Sequence, residues 1–188
     1  NNFAKATDEM LLLWRGILES VRGSKLVIKG KIASIDSGLH FAKKRLSMLN
    51  YDLSRVEFRP YSPDYLEQYR DIDIALDTAP YNGGLTTCEA LYMGVPVISL
   101  RGRTHGARFG ASILTNAGVR ELVAENDINY VRRAVQLAES PKLIEAYHMG
   151  LRANMKRSPL MDIRGYMDDL ETAYQEIWEK FCQSPPSV

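Results

Sequence analysis

The chain has 188 residues, 45% of them hydrophobic, which is enough for one well-buried core and short for two independent domains. Its 24 Lys and Arg against 23 Asp and Glu leave a net charge of +1, arguing against nucleic-acid binding through a broad positive field. The two cysteines, Cys88 and Cys182, lack metal-ligand spacing, and no apolar run reaches the ~20 residues that span a bilayer or forms a leader, so a soluble, cytoplasmic protein with no membrane partner is expected.

In chain order, Leu11, Leu12, Trp14, Ile17, Leu18 and Val21 recur every three or four residues, predicting an amphipathic helix over 8–21 capped by Thr7 or Asp8. A short strand follows at 26–28, then a helix from 34 to about 49. The run 56–58 reads as a second strand. Ser62-Pro63-Asp64 reads as a helix start, with proline at the first helical position. A third strand is expected at 73–76, a helix over 86–93 stopped by Gly94, and a fourth strand at 96–100. Beyond it come a helix over 106–117 ended by Gly118, a weaker strand at 121–123, and helices over 127–138, 141–155 and 162–181. The tail 183–188 reads as disordered.

Strands alternating with helices predict an α/β fold, a Rossmann-like doubly wound parallel sheet, in one domain over 1–182. Ligands of such sheets sit beyond the carboxyl ends of the strands, which gathers the loops after Ile28, Phe58, Leu76 and Leu100 at one edge. In the last helix, Ile163, Tyr166, Leu170, Tyr174, Ile177, Trp178 and Phe181 make a wide apolar stripe. Such a stripe ordinarily packs in the core; the other reading is that its aromatic end docks on a second domain.

The most informative stretch is 77–91. Ile74, Ala75 and Leu76 form the apolar run of a strand buried on both faces, and Asn82-Gly83-Gly84 permits a backbone that approaches a ligand closely. The helix that follows opens on N–H groups without intrahelical partners, at the positive end of its dipole, where an anion fits. Thr86 and Thr87 add hydroxyl donors, and Glu89 is placed to accept hydrogen bonds from sugar hydroxyls. The plain alternative is a βα turn in which Thr86 or Thr87 caps a helix. Neither GxxxxGK[ST] nor GxGxxG occurs, which excludes a Walker loop and the dinucleotide fingerprint.

The segments 73–78, 82–91 and 94–98, then Gly102-Arg103-Thr104-His105-Gly106-Ala107-Arg108-Phe109-Gly110-Ala111-Ser112-Ile113-Leu114 and Arg157-Ser158-Pro159-Leu160-Met161-Asp162, together resemble a known family. They are similar to the tetratricopeptide-linked O-GlcNAc transferases, their bacterial homologues and the SPINDLY-type proteins. The resemblance implies the C-terminal half of a GT-B glycosyltransferase, which holds UDP-GlcNAc and faces an N-terminal domain. Asn1 to Lys5 resembles the loop after that domain's first strand, so this strand and all that precedes it, including any tetratricopeptide repeats, are expected to be missing.

Carried over by position, Lys5 resembles the lysine that contacts the donor diphosphate and stabilises the leaving group, with Asn2 beside it. Leu85, Thr86 and Thr87 fall on the phosphate-binding helix start, Glu89 on the ribose acceptor, Ser62 on a backbone contact to uracil, and Tyr65 near the base. Gly84 stands where animal members carry histidine, leaving only backbone donors there, and Glu89 stands where aspartate is usual. The implied reaction moves GlcNAc to Ser or Thr hydroxyls of a protein acceptor, with inversion. No Asp-x-Asp motif lies within the turn, so no metal and no cofactor are expected, and Lys5 with the helix start takes that role.

Each residue also has an ordinary reading. Lys5 would be a solvated lysine, Glu89 a helix-surface carboxylate favoured by the dipole. His105 and Arg108 are placed in the donor site or cleft, although Arg108 would serve equally in an ion pair; His40 and His148 read as structural. Two other functions fit the same residues: a transferase using another nucleotide sugar such as GDP-fucose, and a non-catalytic Rossmann-like binding module.

Overall fold

A computed structural model describes residues 2–183. Of the expected tail, Gln183 ends the last helix and 184–188 lie outside the described residues, as does Asn1.

The first helix, α1 (Asp8–Ser20), begins where Thr7 accepts a hydrogen bond from the Met10 amide (3.2 Å), and Asp8 and Glu9 complement the dipole in its first turn. Its three- and four-residue spacing buries Met10, Leu11, Trp14, Ile17 and Leu18. β1 (Leu26–Lys29) then pairs in parallel with β2 (Val56–Arg59), Leu26 opposite Val56 and Lys29 opposite Arg59, across the connecting helix α2 (Asp36–Met48). A second parallel piece has the order β3 (Ala75–Leu76), β4 (Val97–Leu100), β5 (Val123–Ala124). Around it run α3 (Leu85–Tyr92), α4 (Phe109–Asn116), α5 (Asp127–Ala138) and α6 (Pro141–Arg157). Leu91, Ile98, Leu114, Tyr130 and Leu151 are at the centre of the core they share. The chain turns out of α3 at Gly94, whose φ of +89° and the approach of the His148 carbonyl, 2.8 Å from where a Cβ would stand, leave room for glycine alone.

The alternation of parallel strands and helices is as expected, with four corrections. The single sheet is divided: among the described residues β1 pairs with β2 and β3 with β4, and the facing edges of β1 and β3 line one cavity. For the same reason Ile74, Ala75 and Leu76 are half-buried rather than buried on both faces. The helix expected from Ser62-Pro63-Asp64 is a turn leading into a 3-10 helix, Glu67–Asp71, because Leu66, Tyr69 and Ile72 recur every three residues and close Tyr69-to-Leu66 and Ile72-to-Tyr69 hydrogen bonds. Finally, α7 (Ile163–Gln183) buries none of its residues: Trp178 is 64% and Phe181 69% exposed, their rings stacked 5.7 Å apart. The stripe is therefore not core.

Candidate functional site

The turn between β3 and α3 is built on a buried carboxylate. Asp77, 1% exposed, accepts hydrogen bonds at one oxygen from the amides of Thr78 (2.9 Å) and Gly83 (2.7 Å), and at the other from the Ser99 hydroxyl (2.7 Å). The Tyr130 hydroxyl donates to the Asp77 carbonyl (2.8 Å) and accepts from the Trp14 indole (3.0 Å), so α1 and α5 brace the turn from beneath. Asn82 is fully buried; its side-chain amide donates to the Thr78 carbonyl (2.7 Å) and its backbone amide to the Gly106 carbonyl (3.0 Å). Each of these buried polar groups is paired, as burial demands.

Lys5 reaches this turn from the other end of the sequence. Phe3 and Ala6 are buried and anchor a short 3-10 turn, Phe3–Lys5, whose first residue is capped when Asn2 accepts from the Ala4 amide. From there the Lys5 ammonium donates to the Asn82 carbonyl (3.2 Å) and lies 4.3 Å from the centre of the Tyr81 ring. Lys5 is thus half-buried and engaged rather than a solvated terminal lysine. Beside it, α3 opens at Gly84 with no side-chain cap, so neither Thr86 nor Thr87 serves as the cap of an ordinary βα turn. Thr87 is 3% exposed and its side chain packs inward, whereas Leu85 is 74% exposed.

A cavity of about 640 Å³, within the range of small-molecule sites, opens next to the start of α3. Asn2, Tyr65, Leu85, Thr86 and Glu89 line it, all expected from sequence. The Tyr65 hydroxyl donates to Glu89 (2.6 Å), and the carboxylate's acceptance of that bond raises the phenol's pKa, keeping it protonated. Ser62 accepts from Gln68 (2.9 Å) and from Lys29 (3.5 Å), and Lys29 also donates to the Pro60 carbonyl (2.8 Å). Lys29 and Gln68 line the cavity and are among the polar residues there that sequence reading missed, with Lys25, Arg59 and Tyr61. Lys29 carried a usable signal, standing at the carboxyl end of β1; Gln68 carried none, because the local fold around it was expected to be an α-helix.

The loop after β4 is tied to the same turn. His105 stacks edge-on against Phe109 (4.8 Å between centres), which in turn meets Tyr81 (6.2 Å), so His105 lies at the rim beyond Lys5. Arg108 is exposed. Among the described residues no group of three His, Cys, Asp or Glu converges as a metal site, and no helix is long and apolar enough to cross a membrane. Burial raises the pKa of Cys88, the thiol nearest the turn in sequence.

This geometry, a lysine and an uncapped helix start converging beside a cavity at the carboxyl edge of a parallel sheet, coincides with a sequence match over residues 1–170 to glycosyl transferase family 41. The chain belongs to that family. It is 39% identical over 97% of its length to the probable UDP-N-acetylglucosamine–peptide N-acetylglucosaminyltransferase SPINDLY of Eustoma exaltatum subsp. russellianum, and 38% identical to that of Arabidopsis thaliana. A UDP-N-acetylglucosamine–peptide N-acetylglucosaminyltransferase of Caenorhabditis elegans is 26% identical over 99% of the chain. Among solved structures, a mutant O-GlcNAc transferase of Thermobaculum terrenum superimposes with a TM-score of 0.91 at 31% identity, over 97% of this chain and 36% of the other. The fold is thus the α/β, GT-B-type domain of that enzyme. The chain spans about a fifth of the length of the plant relatives it matches.

Proposed function

We propose that this chain is the donor-binding part of a protein O-GlcNAc transferase, acting in the cytoplasm on UDP-GlcNAc and on Ser or Thr hydroxyls of a protein acceptor. The observation that carries the reading is the meeting of Lys5 with the Asn82 carbonyl beside the open start of α3, 77 residues away in sequence. Leaving UDP gathers negative charge as the glycosidic bond breaks. A fixed ammonium and aligned backbone N–H groups stabilise that charge more in the transition state than in the ground state, which lowers the barrier without a divalent cation. The nucleoside end lies toward Tyr65, Glu89 and Ser62, with Glu89 receiving the ribose hydroxyls, and attack from the face opposite UDP inverts the anomeric centre.

The base that activates the acceptor hydroxyl is not among these residues and belongs to the remainder of the protein or to the substrate itself. Two features support a larger partner in the same polypeptide. The open edges of β1 and β3 face the inner end of the cavity, a slot suited to a further parallel strand that leaves its mouth at Tyr65, Leu85 and Glu89 to the nucleoside, and α7 presents an uncovered aromatic face that suits the second GT-B domain. The 188 residues alone therefore bind nucleotide weakly and transfer no sugar. In the full-length protein Lys5→Ala lowers kcat for GlcNAc transfer from UDP-GlcNAc to an acceptor peptide by about 10²–10³, the usual effect of removing one preorganised donor. Unchanged turnover would refute the assignment of Lys5, and preference for GDP-fucose over UDP-GlcNAc would replace the donor.

A further inference from the structure

We propose that Asp77 is a positioning residue for the donor diphosphate, acting on Lys5 through the single peptide unit between Asn82 and Gly83. The inference rests on the donor-site reading above and adds to it a residue that makes no contact with the ligand. The N–H of that peptide, on Gly83, donates to a carboxylate oxygen of Asp77 at 2.7 Å. Its C=O, on Asn82, accepts from the Lys5 ammonium at 3.2 Å. The peptide is trans, so its N–H and C=O point in opposite directions. Whatever fixes the N–H inward fixes the carbonyl outward.

The carboxylate is itself held. Ser99 donates to its other oxygen, Thr78 shares the first, and the Tyr130 hydroxyl secures the Asp77 carbonyl. Asp77 and Ser99 are 1% and 0% exposed, so the bond to Gly83 is charge-assisted and shielded from water. Asn82 is clamped on its far side by bonds to Thr78 and Gly106. The peptide is left with one orientation, and Lys5 with one acceptor that aligns it along the mouth of α3. Without the carboxylate the 82–83 peptide can rotate, its carbonyl no longer presents to Lys5, and the ammonium loses its fixed position while keeping its charge.

The test is a double-variant cycle in the full-length protein, measuring the affinities of UDP and UMP by calorimetry for the wild type, D77A, K5A and the D77A/K5A pair, with folding followed by circular dichroism. D77A and K5A each lower the preference for UDP over UMP by about tenfold, and the pair lowers it no further. D77N, which keeps an oxygen for the Gly83 N–H while Ser99 turns to accept, stays within about threefold of the wild type. Losses that multiply in the pair, or that fall equally on UDP and UMP, would overturn the inference and leave the donor site standing; a wild type that binds neither UDP nor GDP would overturn the donor site itself. Should D77A fail to fold, hydrogen exchange decides: the Gly83 amide is protected as strongly as the amides of β4 in both the wild type and K5A, and rapid exchange there would refute the role of Asp77.

Discussion

Glycine to alanine in a helix usually stabilises, by about 1 kcal/mol, because alanine gives up less backbone entropy. In this chain the same substitution has opposite signs at two positions. At Gly16, within α1, nothing lies within 4 Å of the added methyl, so Gly16→Ala gains the full ~1 kcal/mol. At Gly110, in the first turn of α4, the methyl would stand 1.9 Å from the Ser99 hydroxyl oxygen and 2.6 Å from a carboxylate oxygen of Asp77. Neither neighbour can withdraw without breaking its hydrogen bond to the other. Overpacking costs about 1–3 kcal/mol and an unpaired buried polar group about 1–3 kcal/mol, so after the helix gain Gly110→Ala is net destabilising by about 3 kcal/mol. With a shift of roughly 2–4 °C per kcal/mol for a chain of this size, Gly16→Ala raises Tm by about 2–4 °C and Gly110→Ala lowers it by about 6–12 °C. Thermal melts followed by far-ultraviolet circular dichroism read both, and a Gly110→Ala protein that melts at or above the wild type would refute the account of the buried Asp77 network.

Tyr130→Phe removes the hydroxyl that donates to the Asp77 carbonyl and leaves the buried Trp14 indole N–H without the acceptor it has there, and lowers the unfolding free energy in urea by about 1–3 kcal/mol; a loss below about 0.5 kcal/mol would contradict that bracing role. Burial raises the Tyr69 pKa from 10.0 to about 12, and a group whose folded pKa is raised stabilises below its unfolded pKa and ceases to as pH climbs through the folded one. Tyr69 therefore contributes about 2–3 kcal/mol of the stability lost between pH 10 and 12, beside the share of the other buried tyrosines, and Tyr69→Phe makes the fall smaller by that amount in urea titrations, an unaltered slope being the contrary outcome. Trp178→Ser on α7 changes the stability of the 188-residue chain by no more than the ~0.5 kcal/mol usual for surface changes, and under the proposed docking of α7 lowers the Tm of the full-length protein; equal effects in the two would argue against a docked α7.

Local chemistry made much of this fold legible. Thr7 with its apolar repeat, Gly94 after α3 and Pro141 opening α6 all mark boundaries that the structure keeps. The glycine turn was legible as a βα turn, but its residues alone left the anion site and an ordinary helix cap by Thr86 or Thr87 both open. What stayed hidden depends on contacts between distant residues. No spacing rule joins Lys5 to Asn82; only the family resemblance placed them together. Asp77 looked like the end of a strand, and its burial became visible only once Ser99 and Gly83 closed on it. The segment after Ser62 misled because Pro63 and Asp64 signal any helical turn, while the three-residue spacing of Leu66, Tyr69 and Ile72 selects the tighter one. On α7 the periodicity was right and the core reading was not: a stripe marks a face suited to packing without saying what packs on it.

A crystal of the chain grown with millimolar UDP tests the central claim most directly. The account predicts a diphosphate at the first turn of α3 within hydrogen-bond reach of the Lys5 ammonium, with the base against Tyr65 and the ribose at Glu89. Nucleotide seated elsewhere, or a turn from Asn82 to Glu89 left empty at that concentration, would contradict it.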